Sequence, residues 1–246
     1  MEEHELFEAL SSRRRLGILS FLVDDAHKFS EIQKTLEISS PELSRQVNRL
    51  QRTGLIERGA KNAYTLTLYG KLIQKNLRLL RFFAEKSEFF STHETSPIPT
   101  KMIERMGALS GGVILNSVYE LLDKLKVASE RVKGYYWDLS DDFPRLLLDK
   151  VEIMVDNEVE IKCVYPRKLV EGIKEIVSPK IVQAVKMKSV DEVNITIVAS
   201  DTFGMVGLPE LNGRVDRGQY IYGESEEFID WCRDCFQLYW EKAPLY

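Results

Sequence analysis

Residues 29–66 read FSEIQKTLEISSPELSRQVNRLQRTGLIERGAKNAYTL, and this stretch decides the fold of the N-terminal part of the chain. Its pattern predicts two helices joined by a tight turn and followed by a two-stranded hairpin. Ser40 and Pro41 predict the start of the second helix, because serine caps helices and proline is tolerated at the first helical position. Thr53 and Gly54 follow Arg52, and Gly54 predicts the end of that helix, since glycine readily adopts the left-handed conformation found there.

The sequence on either side extends this pattern. Two short helices are expected at 4–10 and 12–23, and two strands at 55–58 and 64–67. A long helix is expected at 69–91, and its many apolar residues are typical of a helix that packs on two sides. The order of two helices, a turn, a further helix and a hairpin predicts a winged helix-turn-helix.

The second helix of the quoted stretch has two unlike faces. Leu43, Val47 and Leu50 recur at helical spacing, and we expect them to face the core. Arginine can bond O6 and N7 of guanine together, and asparagine and glutamine can bond adenine, so the opposite polar face suits a major groove. The candidate DNA contacts on this helix and in the hairpin are Ser40, Ser44, Arg45, Gln46, Asn48, Arg49, Arg52, Arg58, Lys61 and Asn62. Two alternatives stay open, a solvated surface helix and a winged helix that binds protein.

Basic residues are concentrated in one part of the chain. The 246 residues carry a net charge of −4, but residues 40–86 hold ten basic side chains and only three acidic ones. A localised positive charge of this kind can form a duplex-binding face on an otherwise acidic protein. The overall negative charge therefore does not exclude a nucleic-acid partner.

Composition excludes several classes of protein. Hydrophobic residues make up 44% and charged residues 29%, which is typical of globular chains. No apolar run approaches the roughly 18 residues that span a bilayer, and the acidic start at 1–5 does not fit a signal peptide. With only three cysteines, no disulfide framework is expected, and a reducing cytoplasm fits best.

The domain organisation follows from a change of pattern. A polar segment at 91–99 carries two prolines and is the best candidate for a linker. Beyond it helices and strands alternate, beginning with an expected helix at 112–133. We therefore predict a two-domain chain of the α+β or α/β class. Its parts are a winged helix-turn-helix at 1–70, a long connecting and dimerisation helix with linker at 69–95, and a mixed α/β effector domain at 96–246.

A glycine-rich run at 204–218 is the candidate for a ligand pocket. Pockets combine aromatic side chains with a few oriented polar groups. The candidate ligand-binding residues of this kind are Tyr135, Trp137, Arg145, Tyr165, Arg214 and Asp216. The alternative is that the glycines serve turns and the aromatic residues pack a core. Asp138, Asp141 and Asp142 are expected in a solvated loop.

Cys232 and Cys235 form a C-x-x-C pair. On a helix they share a face with Phe228 and Trp231, which favours burial as small hydrophobes. A redox pair or half of a zinc site is the alternative. The sequence has no nucleophile elbow, P-loop, dinucleotide fingerprint or zinc-protease motif, so we predict neither enzymatic activity nor a cofactor or metal site.

Two resemblances to known families cover most of the chain. Residues 5–70 resemble the ArsR-type winged-helix regulators through LSSRRRLGIL at 10–19, FSEI at 29–32, LSRQVNRL at 43–50 and GLI at 54–56. The C-terminal half resembles the effector domain of archaeal FilR-type regulators, the methanogenesis-regulator group. That resemblance rests on DTFGMVGLP at 201–209, Gly213, Asp216, EFIDWC at 227–232, and Leu238 with Tyr239. It implies dimeric, ligand-responsive control of transcription.

One departure from the ArsR-type pattern is informative. Metal-sensing proteins of this type carry paired cysteines on or near the recognition helices, whereas residues 1–95 have none. This argues against a metal–thiolate switch in the N-terminal part of the chain.

These features together predict a sequence-specific double-stranded DNA-binding transcription regulator in the cytoplasm. It is expected to form homodimers and to respond to a small-molecule effector, without a membrane partner. The alternative is a winged-helix protein–protein interaction module of the transcription machinery that does not read bases. An enzyme with an accessory DNA-binding head is a further alternative, although the sequence offers no nucleophile–base pair.

Overall fold

The computed structural model describes residues 2–143 and 145–244, apart from the side chains of Leu146 and Lys174. The chain divides into two compact units, Met1–Leu80 and Arg81–Tyr246. The first combines short helices with a small sheet, and the second surrounds a large sheet with helices. The predicted class is confirmed: an N-terminal helix-turn-helix and a C-terminal mixed α/β region.

The N-terminal unit is built from short helices and a three-stranded antiparallel sheet of order β1-β3-β2. Its elements are α1 (Glu3–Leu10), α2 (Arg13–Phe21), β1 (His27–Lys28), α3 (Phe29–Leu36), α4 (Ser40–Arg52), β2 (Ile56–Arg58), β3 (Ala63–Leu66) and the start of α5 (Leu68–Glu85). Strand β1 was not predicted, because two residues carry no periodic pattern. The core of this unit is formed by buried apolar side chains of α2, α3 and α4, with Leu55 between α4 and β2.

The starts of α3 and α4 differ from the prediction by one or two residues. Helix α3 begins at Phe29, where the Lys28 N–H donates to the Glu31 carboxylate at 2.8 Å, so Ser30 is not its cap. Ser39 occupies the N-cap position of α4 without a side-chain capping bond, and Ser40 is the first helical residue. Such small shifts arise because neighbouring polar residues compete for the same free backbone donors.

The single helix predicted at 69–91 is wrong. The chain forms α5 and then α6 (Ser87–Thr92), with a non-helical backbone at Lys86 between them. The bend keeps two backbone bonds, since Lys86 N–H donates to the Phe82 carbonyl and Phe90 N–H donates to the Lys86 carbonyl, both at 3.0 Å. The Phe82 and Phe90 rings meet edge to face across it at 5.5 Å.

The C-terminal unit contains a seven-stranded sheet of order β4-β10-β9-β8-β5-β6-β7. Its elements after α6 are α7 (Thr100–Ile103), β4 (Val113–Leu115), α8 (Val118–Ser129), β5 (Tyr135–Leu139), α9 (Leu148–Asp156), β6 (Glu160–Pro166), α10 (Arg167–Ile176), α11 (Pro179–Ala184), β7 (Lys186–Val190), β8 (Thr196–Ser200), β9 (Gly204–Gly207), β10 (Tyr220–Gly223) and α12 (Glu226–Lys242). Strand β6 is parallel to β5 and β7, and the other pairs are antiparallel.

The helix predicted at 112–133 is two elements. Residues Val113–Leu115 pair with β10 as an edge strand. Helix α8 then starts after Ser117, whose hydroxyl accepts from the Glu120 N–H at 3.2 Å. The apolar run had suggested one long helix because its few strand residues have no alternation of their own.

Helix α12 covers one face of the sheet. Its buried side chains include Phe228, Trp231 and both thiols of the C-x-x-C pair. Burial raises the pKa of Cys235 to about 12, and it raises the pKa of Cys232 as well, so both thiols stay protonated at neutral pH. These cysteines are free and pack as part of the core.

Residues 91–99 are not a free linker, contrary to the prediction. Glu94 N–H donates to the Pro209 carbonyl at 2.8 Å, and the Tyr239 hydroxyl donates to the Pro97 carbonyl. His93 is buried, and its ring stacks on Phe89 at 4.0 Å. The segment is therefore packed within the C-terminal unit. None of the helices in residues 2–143 and 145–244 combines the length and the apolar character that a membrane span requires.

Candidate functional site

Helix α4 presents a polar face to the surface. Leu43, Val47 and Leu50 are buried in the core, as predicted. On the other side the exposed residues are Ser40, Ser44, Arg45, Asn48 and Arg52. The Arg45 side chain is 75% exposed. A helix held by one apolar stripe with donors and acceptors on the opposite face can be inserted into a major groove.

One carboxylate organises the side of α4 nearest α2. Glu42 lies 3.1 Å from the Arg14 guanidinium, forms an ion pair with Arg45, and accepts from Gln46 Nε2 at 2.6 Å. The hydrogen bond from Gln46 and the two arginines hold the pKa of Glu42 below its usual value. Arg15 in turn donates to Gln46 Oε1 at 2.7 Å. Gln46 is thus half-buried and bonded at both ends of its amide, so it is less available for base reading than predicted.

Arg49 is tied to the first helix of the unit. Its Nη2 atom lies 2.5 Å from Glu8 Oε2, a contact across 41 positions of sequence. The Arg49 side chain is only partly exposed. This arginine would have to exchange a carboxylate for a phosphate in order to bind nucleic acid.

The hairpin between β2 and β3 carries three exposed polar candidates. They are Arg58, at the end of β2, and Lys61 with Asn62 in a 3₁₀ turn at the tip. Lys61 and Asn62 have φ angles of 56° and 59°, in the left-handed region. Gly59 N–H donates to the Ala63 carbonyl at 2.8 Å and closes the turn. The tip therefore presents a compact basic surface at the end of the wing.

The C-terminal unit holds a cavity of about 140 Å³ between α8 and the face of the sheet opposite α12. Its apolar wall consists mainly of side chains from α8, β8 and β9, namely Leu121, Leu122, Leu125, Val198 and Met205. Its polar lining consists of Tyr136, Asp138, Ser140, Asp141, Asp142, Thr196, Arg217 and Tyr220. A cavity of this composition, largely apolar with a few polar groups, is typical of small-molecule sites.

Asp138 is the most unusual residue of this cavity. Its side chain lies on β5 and is 4% exposed, not in the solvated loop that the sequence suggested. Oδ2 accepts from the Tyr165 hydroxyl at 2.7 Å, whereas Oδ1 has no hydrogen-bond partner among the described residues. Burial raises the pKa of Asp138 to about 6, although the hydrogen bond from Tyr165 and the proximity of the Ser140 hydroxyl oppose the rise. That hydroxyl donates its own hydrogen bond to the Asp142 carbonyl at 2.7 Å, so it leaves Oδ1 unpartnered. A buried carboxylate oxygen without a donor is a costly arrangement.

Arg217 lies at the edge of the cavity. Its guanidinium is 2.9 Å from Asp141 Oδ2 and 3.6 Å from Asp142 Oδ2. Asp141 holds the pKa of Arg217 above its usual value. The pair joins the loop after β5 to the segment before β10, and sequence reasoning missed it because 76 positions separate its members.

Two of the predicted ligand residues lie on the wrong face of the sheet. Side chains alternate along a strand, so Tyr136 and Asp138 line the cavity while Tyr135 and Trp137 face the other way. The Trp137 ring packs on Phe236 of α12 at 5.3 Å. The sequence predicted these aromatic residues as one group because it does not show which face of the sheet α8 covers.

The other predicted ligand residues also lie outside the cavity. Tyr165 backs it by donating to Asp138. Arg145, at the start of a 3₁₀ helix, and Arg214, in the loop before β10, are exposed. Asp216 is engaged elsewhere, since its Oδ2 lies 2.9 Å from Nε2 of the buried His93.

Two models of known protein families match parts of the chain. Residues 114–242, more than half of its length, match the model described as "Methanogenesis regulatory protein FilR1, middle domain". The chain belongs to this family. Residues 9–90 match an HxlR-like helix-turn-helix, so the match shows this type and not the ArsR type that the sequence motifs suggested. The chain thus joins a helix-turn-helix to a FilR1 middle domain. A comparison with curated proteins found no match.

Several solved structures are similar to parts or all of the chain. TrmBL2, an archaeal chromatin protein whose structure shows a novel mode of DNA binding, is 15% identical, with all of both chains covered and a TM-score of 0.47. Quinone-bound YodB from B. subtilis is 27% identical over 34% of this chain and 94% of its own, with a TM-score of 0.32. HlyU from Vibrio cholerae is 31% identical over 32% of this chain and 97% of its own, with a TM-score of 0.29.

The FilR1 middle domain contains the whole of the cavity. Every lining residue lies between Val118 and Tyr220, within the matched range 114–242. The basic face of α4 lies within the range of the HxlR-like match. The cavity therefore lies within the FilR1 middle-domain match, and the basic face of α4 lies within the HxlR-like match.

Proposed function

We propose that this protein is a sequence-specific double-stranded DNA-binding transcription regulator, an archaeal, ArsR-like winged helix-turn-helix protein with a FilR1-type effector domain. The observation that carries the proposal is the face of α4, where Arg45, Asn48 and Arg52 are exposed opposite a fully buried apolar stripe. Two arginines and an asparagine on one exposed helix face have the chemistry that reads guanine and adenine in a major groove.

Each candidate residue has a proposed role. Arg45 and Asn48 read bases, with Ser44 beside them, because they project from the exposed middle of α4. The residues proposed to hold phosphates are Ser40, Arg49 and Arg52 on α4, and Arg58, Lys61 and Asn62 on the hairpin. Gln46 acts mainly by positioning Arg15 and Glu42.

The division of labour along the chain is also proposed. Residues 1–70 bind DNA, residues 69–95 connect and dimerise, and residues 96–246 sense the effector. Exposed leucines on α5, among them Leu68 and Leu72, support a homodimer, because a second copy would cover apolar side chains that one chain leaves in water. A symmetric dimer places its recognition helices in half-sites about one helical turn, or a multiple, apart.

The effector response is assigned to the cavity of the C-terminal unit. A ligand that favours one arrangement of the dimer changes DNA affinity by a coupling free energy of typically about 1–3 kcal/mol. The protein is proposed to act in the cytoplasm, where its free, buried cysteines stay reduced, and without catalytic turnover.

Fluorescence anisotropy tests the proposal. The full chain is titrated onto a duplex from its own upstream region and onto a scrambled duplex, over a series of salt concentrations. The double variant Arg45→Ala/Arg49→Ala should bind the cognate duplex at least about 100-fold more weakly, since each base-reading arginine contributes about 1–3 kcal/mol and each phosphate contact adds to the salt slope. Arg167→Ala/Lys168→Ala, which removes two exposed charges from α10, is the matched control and should bind nearly as the wild type does.

The opposite result is equally clear. If the wild type and both variants bind the two duplexes weakly and alike, α4 does not read DNA. The winged-helix protein-interaction module then becomes the better description.

A further inference from the structure

We propose that the cavity beneath α8 binds a small organic amine, whose protonated nitrogen donates to Asp138 Oδ1 and whose apolar body lies against the leucines of α8. The proposal names the chemical class of the effector. Binding of an amine does not depend on the proposed function, but its role as an effector of DNA binding does. Four features of the cavity carry it: an oxygen without a donor, the sign of the charge, the size and the apolar wall.

The first feature is the unpartnered oxygen. Asp138 is 4% exposed and lines the cavity, and its Oδ1 atom has no donor among the described residues. The other oxygen, Oδ2, accepts from the Tyr165 hydroxyl. Rotating the carboxylate to bring Oδ1 to Tyr165 would break that bond and leave Oδ2 unpartnered instead. An N–H or O–H donor brought by a ligand would complete the hydrogen bonding of this buried group.

The second feature is the charge of the lining. Three carboxylates, Asp138, Asp141 and Asp142, face one guanidinium, Arg217. Both aspartates of the loop already contact Arg217, at 2.9 Å and 3.6 Å. The only cation of the lining is therefore engaged, and the remaining field of the described residues favours a cation over an anionic ligand.

The third and fourth features limit the body of the ligand. A cavity of about 150 Å³ is large enough for one benzene ring, and this one measures about 140 Å³. Leu121, Leu125 and Val198 offer it an apolar wall. A single ring or a short branched chain with one nitrogen fits, whereas a nucleotide or a sugar phosphate is too large and has the wrong charge. A bare inorganic cation would leave the apolar wall uncovered.

Further acceptors suit an ammonium group. An ammonium nitrogen carries three donors, of which Asp138 takes one. Thr196 and Tyr220, which each carry a hydroxyl, line the same cavity. Burial raises the pKa of Tyr220 to about 12, so its hydroxyl stays neutral and keeps its lone pairs for an incoming donor.

Three probes of the same shape test the proposal by isothermal titration calorimetry on the full chain at pH 7.5, without DNA. Benzylamine, benzyl alcohol and benzoate are cationic, neutral and anionic. Benzylamine should bind best, at least about tenfold more tightly than benzoate, because only it completes a charged hydrogen bond to the carboxylate. Asp138→Asn should abolish the advantage of benzylamine over benzyl alcohol, while circular dichroism reports whether the variant is folded.

A second variant keeps the test decisive. Val118 lies on the rim of the cavity and is 45% exposed, so Val118→Trp can close the entrance without disturbing the core. It should weaken the binding of all three probes together. Equal binding of the three probes, a preference for benzoate, or no binding of any at millimolar concentration would overturn the proposal. Since no DNA is present, such a failure leaves the DNA-binding proposal standing, and loss of DNA binding leaves this one standing.

Discussion

The Tyr165 hydroxyl donates a 2.7 Å hydrogen bond to Asp138 from the neighbouring parallel strand, and both side chains are buried. The tyrosine satisfies one carboxylate oxygen and leaves the other without a hydrogen-bond partner among the described residues, on a side chain that lines the cavity. The free-energy cost of burying the Asp138 carboxylate is therefore offset by one hydrogen bond, the bond from the Tyr165 hydroxyl.

Removing that group should destabilise the protein. Tyr165→Phe leaves the buried carboxylate without its donor, and an unsatisfied buried polar group costs about 1–3 kcal/mol. Urea denaturation measures the change in the free energy of unfolding. Tyr119→Phe is the matched control, because Tyr119 is 83% exposed, and its effect should stay within about 0.5 kcal/mol. Equal midpoints for the two variants would show that the Tyr165 bond contributes nothing.

The stability of the protein should fall as pH rises through the range set by Asp138. Its pKa is about 6 in the folded chain against an ordinary value of 3.8. The folded state therefore holds a proton that the unfolded state has lost between these values, and stability decreases with rising pH there. About two pKa units at roughly 1.4 kcal/mol each amount to about 3 kcal/mol.

Asp138→Asn isolates this contribution, because asparagine does not titrate. Relative to the wild type, the variant should gain stability between pH 4 and pH 6.5, with a constant difference above that range. Urea denaturation at half-unit pH intervals gives both curves. Parallel curves throughout would mean that Asp138 does not titrate as proposed.

Two glycines should respond to alanine in opposite directions. A Cβ at Gly204 would lie 2.7 Å from the Cys232 sulfur and 2.9 Å from the Phe228 ring, so Gly204→Ala forces β9 away from α12 at a cost of about 1–3 kcal/mol. Gly172, in α10, has no atom of the described residues within 4 Å of that position, and Gly172→Ala should stabilise the helix by about 0.5–1 kcal/mol. Thermal unfolding of the two variants provides the test, and a stable Gly204→Ala protein would contradict the close packing of α12.

Releasing Arg49 should strengthen DNA binding. Glu8→Gln removes the carboxylate that holds the Arg49 guanidinium at 2.5 Å. Exposed ion pairs are weak, so we expect affinity to rise roughly two- to fivefold at low salt, without a change in sequence preference. Glu3→Gln removes the same charge from the same helix and is the control. A rise of the same size in both variants would indicate a general charge effect instead of a released arginine.

The faces of α4 could be predicted from sequence because helical periodicity is local. Leu43, Val47 and Leu50 recur at helical spacing and are buried. The partners of the polar residues could not be predicted in this way. Gln46 is held by Arg15 across 31 positions, and Arg49 by Glu8 across 41, so only the tertiary fold shows that these side chains are already engaged.

The cavity was beyond the reach of sequence reasoning for a related reason. The run from Tyr135 to Asp138 alternates between two sheet faces, and both faces are covered, so hydrophobicity does not tell them apart. Asp138 was assigned to solvent because three aspartates occur within five residues. Its burial follows from the strands on either side of β5, which are distant in sequence.

Strand β5 is paired on both sides, with β8 and with β6. Loss or gain of one residue ahead of Trp137 would turn Trp137 towards the cavity and Asp138 towards Phe236. We therefore expect related chains to conserve the length of this strand while they diverge by substitution. Its even-numbered positions can change to recognise new ligands while the odd-numbered positions keep α12 in place. Related proteins in such a family could therefore come to recognise different ligands while the packing of the sheet on α12 stays the same.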